Sequence, residues 1–262
     1  MSPVRKLPVM KLSEKVVAVG LGVFIKDLSA LAIADLHLGY EEALEEQGIH
    51  IPAVQLRHIK KLLEEMIEEV LPEKIIILGD VKHEFGSALR QEWSETLDLL
   101  QFLKGKGLKV HVVRGNHDNF LIPILKRLNI PFHDPYYTEK EYLFIHGHKT
   151  MGIDILFSQD IKYIFEGHEH PAISLRDELG VKTRFKCFLK GNIEGKEIYV
   201  LPAFSPLMPG TEINLVEKDK LLSPLLKMID IDHLEVFVVD VEAGIFYFGT
   251  LSNLKMLNLP SS

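Results

Sequence analysis

Five short clusters hold most of the residues in this chain that could do chemistry together: Asp35-x-His37, Gly79-Asp80, Asn116-His117-Asp118, His146 and His168-x-His170. In a strand or at its exit, residues two apart point to the same side, so D-x-H and H-x-H each present two donors as a pair. Leaving His117 and Asp118 aside, the set offers two carboxylates, an amide oxygen and four imidazoles. Such mixed oxygen and nitrogen donors suit Mn²⁺, Fe²⁺ or Zn²⁺ better than Mg²⁺ or Ca²⁺, which prefer oxygen alone. Seven side chains are too many for one ion and fit two ions that share a carboxylate. A structural zinc site is disfavoured, because no thiolate is among them. Any one cluster alone reads as a polar turn or a cap. Five of them, each closing an apolar run, argue for one rim.

The elements that would position this rim follow from hydrophobic period. Short buried strands are expected at Ala30–Ala34, Ile75–Leu78, Lys109–Val113, Tyr142–Ile145 and Lys162–Phe165, each directly before one cluster. Helical spacing over Pro52–Val70 and Ala88–Lys104 separates the first three, with Trp93, Leu97, Leu100 and Leu103 facing inward in the second. Phe120–Leu128 reads as a short helix. Strand, helix, strand, helix, strand argues for a parallel layer, and ligands of such sheets bind at the carboxyl ends of the strands. After residue 171 the pattern changes to strands without long helices between them, which predicts an antiparallel second sheet. The motif-bearing core then spans about 16–171 and the strand-rich half 172–262. With no linker or repeat between them, one domain over 1–262 is expected.

Composition adds bounds. The chain is 47% hydrophobic and 26% charged, with a net charge of −7, so it has no overall bias toward polyanions. A lone cysteine, Cys187, rules out an internal disulfide and fits a reducing, cytoplasmic setting. No apolar run is long enough to span a membrane, and oligomeric state is not legible.

In order and spacing, D-x-H, G-D, G-N-H-D, H and G-H-x-H resemble the signature of the calcineurin-like metallophosphoesterase superfamily over residues 30–171. Phe185-Lys186-Cys187-Phe188 and Leu201-Pro202-Ala203-Phe204 resemble the tail of its ICC-like branch, which includes the DNA-ligase-associated metallophosphoesterases. The resemblance implies a four-layer αββα sandwich, two mixed β-sheets flanked by helices. It implies two divalent metal ions, with Mn²⁺ the first choice and Fe²⁺, Zn²⁺ or Ni²⁺ as alternatives. Asp35, His37, Asp80 and His170 would hold one ion, and Asp80, Asn116, His146 and His168 the other. His117 would face the substrate and protonate the leaving oxygen, with Asp118 behind the ligands. Two such ions acidify a bridging water and clamp both ends of an in-line displacement. The expected activity is therefore phosphate-ester hydrolysis by direct attack of a metal-bridging hydroxide.

Residues outside the signature bear on the substrate. His83, three positions past Asp80, stands where protein phosphatases of this superfamily carry aspartate, and is expected beside His117, favouring a phosphodiester. The alternatives are a phosphomonoesterase on nucleotides or phosphoprotein, and a nuclease acting on nucleic-acid ends. Lys182, Arg184, Lys186 and Lys190 share one parity of an alternating stretch and predict a basic stripe that could touch nucleic acid, against the plainer reading of a solvated face. The loop 204–210 is apolar and proline-rich, and either walls the site or packs the second sheet.

Overall fold

A computed structural model describes residues 7–84, 90–150, 152–156 and 158–257. The first sheet has seven strands in chain order: β1 (Val9–Lys11), β2 (Val16–Val19), β3 (Gly22–Ile25), β4 (Ala30–Ile33), β5 (Lys74–Ile77), β6 (Lys109–Val113) and β7 (Phe132–His133). β1 to β4 form an antiparallel meander, and β4 to β7 run parallel. Parallel strands need helical crossovers. These are α1 (Tyr40–Glu46) and α2 (Gln55–Val70) after β4, α3 (Arg90–Gly105) after β5, and α4 (Ile122–Leu128) after β6. Ala30 to Ile33 and Ile75 to Ile77 are wholly buried, which explains why both segments read as unbroken apolar runs rather than alternating ones.

The second sheet contains β8 (Tyr136–Glu139), β9 (Tyr142–Ile145), β10 (Tyr163–Glu166), β11 (Pro171–Arg176), β12 (Lys182–Ile193), β13 (Lys196–Val200), β14 (Thr211–Glu212), β15 (Glu235–Asp240) and β16 (Gly244–Thr250). It carries the short helices α5 (Ile153–Leu156), α6 (Pro224–Met228) and α7 (Leu251–Leu257). Beyond residue 171 the expected antiparallel pairing holds for β11 with β12, β12 with β13 and β15, and β15 with β16, but the sheet as a whole is mixed: β14 runs parallel to β11, and β9, β10 and β13 are parallel neighbours. After β10 the chain makes an excursion through β11 and β12, so β13 re-enters beside β10 in the same direction.

One hydrophobic cluster joins α2, α3, the first sheet and the inner face of the second, and another lies between the outer face of the second sheet and α6 and α7. The layers are therefore helix, sheet, sheet, helix. Period-two alternation sorts the second sheet between them: Phe144, Phe165 and Tyr199 face inward, while Leu143, Ile164, Ile198 and Val200 face outward. Tyr137, Phe144, Phe165 and Tyr199 occupy paired positions on β8, β9, β10 and β13. Their rings stack in sequence with centroids 5.7, 5.3 and 5.1 Å apart, giving an aromatic ladder across the sheet.

The inward face of α3 holds at Leu100 and Leu103, and Trp93 and Leu97 pack against the first cluster, but the face is wider than the apolar residues alone. Trp93 and Leu97 are only half-buried, and Glu92, Thr96, Leu99, Leu100 and Leu103 are the buried residues; the expected start at Ala88 lies outside the described residues. The helix turns Glu92 inward because its Oε1 accepts the backbone N–H groups of His83 and Glu84, which follow β5.

Phe165 sits in the middle of the ladder with no accessible surface. Phe165→Ala is expected to lower unfolding free energy by about 3–5 kcal/mol, read from urea denaturation of the metal-free chain. A change below about 1 kcal/mol would show that the ladder is not a tightly packed core.

Candidate metal centre

All five clusters emerge from carboxyl ends of central strands: Asp35 from β4, Asp80 from β5, Asn116 from β6, His146 from β9 and His168 with His170 from β10. The sheets face each other, so the exits meet at one end of the sandwich. Turning the chain there requires unusual backbone. Asp35, His37, Asp80, His168 and His170 all have positive φ, from 46° to 62°, a region that side chains other than glycine rarely occupy. Such conformations cost of order 1–3 kcal/mol each and persist where the surroundings over-determine them. Here the loops are stitched directly: His37 N–H donates to Asp80 O at 2.9 Å, His117 N–H to Asp80 Oδ1 at 2.9 Å, and His168 N–H to Asp35 Oδ2 at 3.0 Å. Gly115 is required by this closeness, since a Cβ there would lie 2.1 Å from Asp80 Oδ1.

The predicted ligands converge in two groups. Asp35, His37 and His170 have ligand atoms within 4.8 Å of one another, and so do Asp80, His146 and His168. His170 Nε2 lies 3.3 Å from Asp35 Oδ1 and 3.4 Å from His37 Nε2. Asp80 Oδ2 lies 3.3 Å from His146 Nε2 and 3.8 Å from His37 Nε2, so it touches both groups. Asn116 Oδ1 is 3.0 Å from His146 Nε2, which places it in the second group. His146 Nδ1 donates to the carbonyl of Leu78 at 2.7 Å, which fixes the ring and leaves Nε2 as its donor atom.

The electrostatics fit a cation. Asp35 Oδ1 is fully buried and has no hydrogen-bond partner. An orphaned anionic oxygen of this kind is costly unless something positive meets it. Burial pushes the Asp35 and Asp80 carboxyls up, but the surrounding imidazoles outweigh it and hold both below the ordinary range. Burial pushes His146 down, yet Asp80 and Asp35 raise it to about 9, so a proton stands where positive charge is wanted. His37 and His168, with burial dominant, fall to about 3 and remain neutral donors.

His117 and His83 lie beside the ligands. His117 Nε2 is 3.7 Å from Asp80 Oδ2, and its Nδ1 donates to the backbone carbonyl of His83. The His83 ring lies near-parallel to that of His117, with centroids 5.6 Å apart, as the sequence predicted for a neighbour. Asp118 is buried and accepts the backbone N–H groups of Asp80, Val81 and Gly115, tying the β5 exit to the β6 exit. Burial and Asp80 push its carboxyl up to about 7 against those donors. His148 is half-buried, with its ring 5.1 Å from that of His146.

The basic stripe is a solvated face only in part: Lys182 and Arg184 are exposed, whereas Lys186 and Lys190 are half-buried. Lys182 and Arg184 pair with Glu212 and Lys190 with Glu235, while Lys186 points inward and donates to the carbonyls of Ala203 and Ser205. The parity was read correctly, but that face of β12 is the one turned to the first sheet. The 204–210 loop braces the centre from behind: Phe204 N–H donates to Ala34 O at 2.8 Å and Ser205 N–H to Asp35 O at 3.1 Å. Sequence reasoning missed Gln55, whose buried amide donates to the carbonyls of Leu36 and His37 and to Ser205 Oγ. It also missed Glu166 and Glu169, which are buried at the end of β10 and in the loop beyond it. Glu166 accepts from Ser223 Oγ, and Glu169 Oε2 from the backbone N–H groups of Leu222 and Ser223. A glutamate directly before Gly167-His168 was the available signal.

Residues 28–172 match the family model described as calcineurin-like phosphoesterase. No curated protein matches the chain. Among solved structures, the Pseudomonas putida nuclease MPE is similar at 20% identity and a TM-score of 0.64, over 92% of this chain and 98% of that one. The phosphoesterase YfcE from E. coli aligns at 16% identity and a TM-score of 0.38, over 80% and 87% of the two chains. At 20% identity the likeness to the nuclease is one of fold.

Burial pushes the Glu166 carboxyl up to about 8, from an ordinary value of 4.5. A carboxyl raised on folding contributes fully below its unfolded value, and that contribution is lost as pH climbs toward the folded one. The metal-free chain should therefore lose stability through Glu166 between about pH 4.5 and pH 8. Urea midpoints at the two ends of this window are expected to differ less for Glu166→Gln than for the wild type. Equal differences would show that Glu166 is ionised in the fold at no cost.

Proposed function

The chain belongs to the calcineurin-like phosphoesterase family and is a metal-dependent hydrolase of phosphate esters, and on that premise we propose that its substrates are phosphodiesters. The observation that carries this reading is His83, held beside His117 as a neutral ring: burial and His117 lower it to about 4. His148, on the other flank, is likewise lowered to about 4, by burial and then by His146. Lys82 is buried and paired with Glu92. Among the described residues, His83 and His148 thus flank the candidate ligands with neutral rings rather than fixed cations, which suits the single charge of a diester better than a monoester dianion.

One ion would be held by Asp35, His37 and His170, the other by Asn116, His146 and His168, with Asp80 shared. The donor set favours Mn²⁺ or a similar borderline metal. Bound there, the ions would supply Lewis acidity to the phosphoryl oxygens and acidify water for in-line attack. His117 is oriented by donating from Nδ1 to the His83 carbonyl, which turns Nε2 toward Asp80 and the ligands. Burial holds this imidazole below the usual histidine range in the free protein. A bound phosphate anion restores its affinity for a proton, and His117 then passes that proton to the departing alkoxide. Asp118 keeps Asp80 and His117 in register through the backbone of both loops. The segments Phe185–Phe188 and Leu201–Phe204 support placing the chain in the ICC-like branch.

With Mn²⁺ added, kcat/KM for bis-p-nitrophenyl phosphate should exceed that for p-nitrophenyl phosphate by about tenfold or more. Preference for the monoester would overturn the diester reading. His117→Ala should lower kcat by about 10²–10⁴-fold on a dinucleotide, whose alkoxide needs protonation, and by less on a nitrophenyl ester. Equal losses on both would remove His117 from the role of proton donor.

A further inference from the structure

His37 is buried, so both of its ring nitrogens need partners. Its Nε2 lies 3.4 Å from His170 Nε2 and 3.8 Å from Asp80 Oδ2, and its Nδ1 lies 3.4 Å from Nδ1 of His83, with the rings at 66°. An imidazole binds a metal through a ring lone pair and then carries its proton on the other nitrogen. If His37 ligates through Nε2, its Nδ1–H must be accepted by something, and His83 Nδ1 is the atom in place to do so.

We propose that His83 is a positioning residue for the metal centre: its Nδ1 accepts the Nδ1–H of His37 and so locks His37 in the tautomer that presents Nε2 to the ion. The inference rests on the reading of Asp35, His37 and His170 as one ion's ligands. Such an acceptor is commonly a carboxylate or a backbone carbonyl. Here it is a second imidazole, which orients without adding negative charge to a site that already holds Asp35 and Asp80.

The surroundings hold the His83 ring for this task. Tyr40 packs on it with centroids 4.2 Å apart, and the His117 ring lies on its near-parallel side. The backbone is fixed as well, since His83 N–H donates to Leu38 O at 3.0 Å and to Glu92 Oε1 at 2.9 Å. The buried Glu92, itself paired with Lys82, thereby reaches the centre through His83. The same residue also sets the tautomer of His117, whose Nδ1 donates to the His83 carbonyl. One residue thus orders a ligand through its side chain and the substrate-facing histidine through its backbone. Only the first of these depends on the side chain, so substitution separates them.

The competing arrangement is that His37, His83 and His117, whose ligand atoms also lie within 4.8 Å of one another, hold a cation among themselves. Amide substitutions distinguish the two. In His83→Asn the amide oxygen occupies the position of Nδ1, whereas in His83→Gln it reaches the position of Nε2. Mn²⁺ binding to the full chain is measured by equilibrium dialysis, and thermal unfolding without metal reports folding of each variant.

His83→Ala is expected to weaken one ion about tenfold or more, within the 10–100-fold range for such partners, with the saturating stoichiometry unchanged. Asn should restore that affinity to within about threefold, and Gln should behave as Ala does; these two decide the matter even where Ala does not fold. Unchanged affinity in Ala, or rescue by Gln rather than Asn, would overturn the proposal. So would loss of a whole ion from both Ala and Asn, since His83 would then be a ligand itself. A wild type that binds no Mn²⁺ would instead remove the metal-centre reading, whatever the variants do.

Discussion

The structure is organised around a local excess of buried charge and lone pairs. Asp35 and Asp80 are buried among the imidazoles of His37, His146, His168 and His170, and Asp35 Oδ1 has no hydrogen bond of good geometry, with His170 Nε2 3.3 Å away. No hydrophobic gain explains this arrangement, because isolated buried carboxylates cost several kcal/mol and neutralise by shifting their pKa where nothing opposes them. Here neighbouring imidazoles oppose that shift and keep the carboxyls ionised. What remains are two groups of carboxylates and imidazoles whose ligand atoms lie close enough to hold a cation. The positive φ values at five of the seven candidate ligands belong to the same constraint. Strain of this kind is tolerable because two well-packed sheets hold the strand ends rigidly on either side.

Much of this was legible because two independent periodicities agree. Ala30–Ala34 and Ile75–Leu78 read as buried strands, and chemistry-bearing residues at their carboxyl ends were in position to converge on one rim. Cys187, on the parity of β12 opposite the basic residues, is buried in the outer cluster. Other features were not legible for specific physical reasons. The parallel order of β9, β10 and β13 depends on where β13 pairs after a long excursion, which no local pattern records. The inward turn of Glu92 reverses hydrophobic patterning, because backbone donors after β5 compete with apolar surface for that face of α3. Lys186 shows the same failure from the other side. Its parity on β12 was clear, but whether that parity meant solvent or the inter-sheet cleft required the first sheet to be in place.

The loops behind the ligands carry as much of the design as the ligands. Asp118 accepts three backbone donors, Gln55 supplies its amide to three acceptors, and His83 contacts two histidines at once. Each of these residues joins segments far apart in sequence, so each loop is placed relative to the others rather than by its own turn. These cross-links account for the closeness of the candidate ligand atoms to one another.

The central claim is that Asp80 belongs to both halves of the centre, which its distances to His37 and His146 support. Mn²⁺ stoichiometry and affinity of the full chain, compared with Asp35→Asn and Asp80→Asn, test it most directly. The account predicts two ions per wild-type chain, one weakened by Asp35→Asn and both weakened by Asp80→Asn. An Asp80→Asn chain that retains one ion at wild-type affinity would contradict it.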